Sequence, residues 1–114
     1  MIVYRIEKNG LGPYRGRREN KNTTRLDNIL FSHSGSYLHP TCHAEITNFD
    51  HEKHICGFSC ITKLKKWFHG SRSELRRNGY SLVLYKVSPA EVFHGNLQLV
   101  FPKDSKKIKE IKIP

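Results

Sequence analysis

No apolar run in this sequence approaches the ~18 residues that a membrane-spanning helix needs, and the opening Met-Ile-Val-Tyr-Arg does not read as a signal peptide. Cysteine is sparse. Three residues, an odd count, argue against a disulfide scaffold and fit a reducing cytoplasm, that of a host cell if the protein is phage-encoded. Acidic side chains are also short, ten Asp and Glu against twenty Lys and Arg, for a formal net charge of +10. No internal repeat is visible. At 114 residues the chain reads as a single domain with a modest core.

The positive charge is unevenly distributed. Residues 1–25 hold seven Lys and Arg against two Glu, and residues 63–77 hold six against one. The tail, 103–114, holds five Lys against two acids, while 26–62 is mildly acidic. Three basic blocks point to an anionic macromolecule, a nucleic acid or a nucleoprotein complex, as partner. The candidate contacts are Arg15, Arg17, Arg18, Lys63, Lys65, Lys66, Arg72, Arg76 and Arg77, with stacking surfaces available from Tyr4, Tyr14, Tyr37, Trp67 and Phe68. The competing reading is a solvated basic surface, with Trp67 or Phe68 in the core. No established DNA- or RNA-binding signature is present.

Patterning organises the chain around residues 56–87. Ile61, Leu64 and Trp67–Phe68 recur at helical spacing, with Lys63, Lys65 and Lys66 on the other face. Gly70 ends that helix. Ser71 followed by Glu74 has the spacing of a capping box, opening a short second helix closed by Asn78–Gly79. Tyr80 to Val87 is a buried strand by its β-branched and aromatic content. Ile2 to Ile6 is a first strand, Asn9–Gly10 a turn, and Leu97 to Phe101 a last strand stopped by Pro102. Residues 15–25 read as a loop and Leu26 to Phe31 as a short helix. The 103–114 tail is either an edge strand protected by lysines or a basic arm.

Two clusters carry possible chemistry. His39, Cys42, His43, His51, His54, Cys56 and Cys60 are close in sequence, and imidazole with thiolate is the donor set of zinc; Cys42, His43, His54 and Cys56 are the candidate ligands. The spacings match no ordinary finger. Cys42 beside His43, with Glu45 near, also suggests a thiol site, although chain neighbours rarely face each other correctly.

The strand VYR around Tyr4 and Arg5, the Gly57-Phe58-Ser59 triplet before a helix, and the late strand Gln98-Leu99-Val100-Phe101 together resemble the ADP-ribosyltransferase layout. That resemblance implies NAD as cofactor, nucleotide contacts from Tyr4 and Arg5, and ribose support from Ser59. It places the catalytic glutamate at Gln98, which has no carboxylate to offer. The longer run, VYRIE through GPYR, GFS, LKKWF and YKV to VF, also resembles small proteins carried by bacteriophages.

The expected fold is α+β: a small, mostly antiparallel sheet of about five or six strands with one or two packed helices, ADP-ribosyltransferase-like in layout. The expected function is that of a phage-type accessory protein that binds rather than turns over. Its target would be a host macromolecule or nucleic acid-containing complex, such as a defence system. The rival readings are an NAD-consuming transferase and a zinc-stabilised nucleic-acid binder. A carboxylate pointing into a closed cleft beside Arg5 would favour catalysis.

Overall fold

The computed structural model describes residues 1–13, 46, 49–50 and 52–114. Among these residues, six strands and two short helices follow in order: β1 (Ile2–Glu7), β2 (His54–Gly57), α1 (Ile61–Trp67), α2 (Arg72–Arg77), β3 (Ser81–Lys86), β4 (Phe93–His94), β5 (Leu99–Pro102) and β6 (Lys106–Ile111). A 3₁₀ turn, Pro89–Glu91, links β3 to β4. The content is α+β, but the strands form two three-stranded sheets, β1-β3-β6 and β2-β5-β4, where the sequence suggested one. Every pairing among the described strands is antiparallel.

β3 is central in the first sheet, and both of its faces are covered. Ile6 and Leu82 on one face pack with Leu64, Phe68 and Leu75 from the helices. Val3, Val83 and Tyr85 on the other face pack against Leu99 and Phe101 of the second sheet. Val100 points away from this contact and packs with Ile46. The period-2 alternation of strands therefore builds three layers: helices, first sheet, second sheet. Burying one Leu of this kind contributes about 1.5–3 kcal/mol. At seven and six residues, α1 and α2 are far below the ~12–15 residues at which isolated helices persist, so this packing stabilises them.

The split into two sheets hinges on Gly57. β2 pairs with β5 through Gly57 opposite Leu99, and one residue later Phe58 bridges Tyr4 of β1. A Cβ on Gly57 would lie 2.7 Å from Val3 Cγ1 and 2.9 Å from Phe101 Cε1, so only glycine permits the crossing. Asn9 and Gly10 both have positive φ, the signature of a two-residue type I′ turn, and Lys8 and Leu11 exchange both backbone hydrogen bonds around them.

Two expectations at element ends are corrected. Ser71 does not form a capping box: its hydroxyl donates back to the Phe68 carbonyl at 3.1 Å, and no side-chain cap is made. Pro102 does not stop β5 but is its last residue, opposite His54. The tail supplies β6, at the margin of its sheet beside β3. The 15–25 loop and the Leu26–Phe31 helix lie outside the described residues.

Candidate functional site

β1 alternates its side chains across the first sheet. Tyr4 joins the helix-facing core, while Arg5 and Glu7 turn to the opposite face. There Arg5 Nε donates to Glu7 Oε2 at 2.9 Å, and Arg5 Nη1 donates to the Cys56 carbonyl at 2.7 Å. The Tyr85 hydroxyl donates to the same Glu7 oxygen at 2.5 Å. Glu7 is 2% exposed. Its second oxygen, Oε1, makes no hydrogen bond and lies 3.4 Å from Lys107 Nζ, a charge contact without hydrogen-bond geometry. Burial and the bond to Glu7 hold the Tyr85 phenol well above its ordinary range. The cluster ties β1, β2, β3 and β6 together.

Glu7 is thus the carboxylate beside Arg5, and the sequence reading did not single it out. An Arg-x-Glu pair on one strand face was readable from alternation. Its closure by Tyr85 and Lys107, about eighty and a hundred residues away, was not. Arg5, Tyr85 and Lys107 converge on this one carboxylate from three strands, so the group acts as an internal clamp.

The four residues of the nucleotide reading meet at one backbone seam without sharing a face. Phe58, just before Ser59, exchanges hydrogen bonds with Tyr4, and Gln98 precedes the residue that pairs with Gly57. Tyr4 and Arg5 nevertheless point to opposite sides of β1, and Gln98 is buried immediately before β5.

Of the metal candidates, Cys42 and His43 lie outside the described residues, as does Glu45 of the thiol reading. His54 Nδ1 lies 3.1 Å from the Asp50 carbonyl, and its ring sits edge-on to Phe49 and Phe93. Cys56 is disulfide-bonded, contrary to the expectation from the odd cysteine count, and Cys60 is a free thiol. Among the described residues no three His, Cys, Asp or Glu are grouped to hold a metal.

The basic candidates Arg15, Arg17 and Arg18 lie outside the described residues. Lys63, Lys66, Arg76 and Arg77 are exposed, and Lys65 and Arg72 half-buried. Arg77 pairs with Glu74 at 2.8 Å. Arg72 and Arg76, one turn apart on α2, donate to the backbone oxygens of Pro114 and Ile113, which hold the guanidinium groups in place. Trp67 and Phe68 are core residues against Phe58, and neither is a stacking platform. No helix among the described residues is long and apolar enough to cross a membrane.

A family model described as "Bacteriophage T4 Y00F protein" matches residues 1–113. No curated protein and no solved structure matches the chain. The phage resemblance therefore stands, while nothing in these comparisons supports the ADP-ribosyltransferase layout. With the match covering all but its last residue, the chain belongs to the bacteriophage T4 Y00F protein family.

Proposed function

We propose that this phage protein works by binding, and that its partner is a nucleic acid or a host nucleoprotein complex. One observation carries the reading: the described surface has a large surplus of basic side chains outside any ion pair. Among the described residues, the ion pairs link Arg5 and Lys107 to Glu7 and Arg77 to Glu74. Lys63, Lys66, Lys86, Lys106, Lys109 and Lys112 are exposed and enter none of them. Fixed positive charge on a rigid scaffold attracts polyphosphate, and release of condensed counterions supplies the free energy. The buried carboxylate supports binding over turnover, because Arg5, Tyr85 and Lys107 already engage it. Occupying host nucleic acid, including that of a defence complex, is the use such a surface suits.

The test is purification from host lysate with and without nuclease, read by the 260/280 nm absorbance ratio and by the recovered nucleic acid. The reading expects co-purifying nucleic acid that is lost after nuclease or high salt. A protein partner retained equally under both treatments, with no nucleic acid at low salt, overturns it.

A further inference from the structure

Strand register sorts the lysines of the β3–β6 margin by face. Lys107 and Glu110 stand opposite Tyr85 and Val83, on the face turned to the second sheet. Lys106 stands opposite Lys86, and Lys109 opposite Leu84, on the helix-facing side. The same side continues past Ile111 to buried Ile113, whose carbonyl receives Arg76 and which is followed by the Pro114 carbonyl that receives Arg72. Lys86, Lys106, Lys109, Arg76 and Arg72 thus line one margin. The acidic side chains nearby lie elsewhere: Glu110 on the other face, Glu74 on Arg77, and Asp104 in the turn before β6.

Resting on the binding reading above, we infer that this helix-side margin is the nucleic-acid contact, and that it takes the phosphate backbone of a duplex. Lys86 and Lys106 are in direct register, and like charges across a strand pair destabilise a sheet until an anion sits between them. A contact for unpaired bases needs exposed aromatic faces. Among the described residues, the exposed large hydrophobics include one aromatic, Phe93, and it belongs to the second sheet; Tyr4 and Tyr80 pack against the helix core. Addition of a partner's β-strand to this margin is opposed by the lysines and by the irregularity between Leu84 and Tyr85. From Lys106 to Ile113 the margin extends roughly 23 Å at about 3.3 Å per residue. Over that length a duplex presents about a dozen phosphate charges.

The test is fluorescence anisotropy of the whole chain with a labelled ~20-base-pair DNA duplex, a single strand of the same sequence, and an acidic peptide. The variants are Lys106→Gln with Lys109→Gln, the control Lys8→Gln with Lys53→Gln, and Lys106→Glu. At about 0.1 M salt each phosphate contact contributes about 0.9 log unit, so the margin pair is expected to lose roughly 60-fold in duplex affinity and the control little. Lys106→Glu pairs with Lys86, so it is expected to lose binding while keeping or raising the melting temperature. That outcome separates lost contact from lost folding. Equal losses in both double variants overturn the margin while leaving the binding reading intact. A single strand or acidic peptide bound more tightly than the duplex overturns the choice of partner. No binding by any probe overturns the binding reading itself.

Discussion

Removing the Glu7 carboxylate is the sharpest perturbation of this fold. In Glu7→Ala, Arg5 keeps the Cys56 carbonyl but loses a charged partner at 2.9 Å, and the Tyr85 hydroxyl loses its acceptor. A hydrogen bond to a charged group contributes about 1.5–3 kcal/mol, and a buried hydroxyl left unmatched costs about 1–3 kcal/mol. Lys107 adds little, since its side chain is 44% exposed and water takes over its solvation. The expected loss is about 3–5 kcal/mol, in line with breaking a buried pair from one side. For a chain of this length that is a fall of roughly 10–20 °C in melting temperature. Thermal unfolding followed by far-ultraviolet circular dichroism, with urea titration for the free energy, reads it directly. Tyr85→Phe should cost about 1–2 kcal/mol and be non-additive with Glu7→Gln, because the two share one bond. A Glu7→Ala variant within about 1 kcal/mol of the parent would refute the clamp. The buried acid would then be available for a catalytic role.

Other expectations follow from the same geometry. Gly57→Ala places a methyl 2.7 Å from Val3 Cγ1 and should cost about 1–3 kcal/mol of overpacking, measurable as a lower urea midpoint. Phe101→Ala empties the space between the sheets and should cost about 3–5 kcal/mol, read as a lower urea midpoint and melting temperature. The Tyr85 phenol is held above its unfolded value of about 10, so its stabilisation is complete below that pH and is lost as pH rises past it. Urea midpoints between pH 9 and 11 should therefore fall more steeply for the parent than for Tyr85→Phe; parallel curves would contradict this assignment.

Local pattern carried much of the fold into the sequence. Alternation in Ile2–Glu7 and Ser81–Lys86, and the Ile61, Leu64, Trp67 spacing, located β1, β3 and α1 within a residue or two. Those signals are periodic and each is set by one buried face. The division into two sheets was not legible, because it depends on Val3 and Phe101 crowding Gly57 from distant positions. Ser71 shows the limit of a spacing rule: the Ser-x-x-Glu pattern is present, yet Ser71 has a helical ψ of −3° and its hydroxyl donates back to Phe68 without accepting from the helix N–H groups. At the site, charge blocks were countable, but which lysines share a face needed the β3–β6 register and its irregularity. Glu7 went unremarked because one acid in an apolar strand acquires meaning only when Tyr85 and Lys107 are seen to meet it.

If uncompensated positive charge on this surface binds polyphosphate, duplex affinity must fall steeply with salt. Five phosphate contacts predict a slope of log K against log salt near about −4.5, and a loss of roughly 500-fold between 50 and 200 mM salt. A slope near zero, or affinity too weak to measure at the lowest salt, would contradict the account.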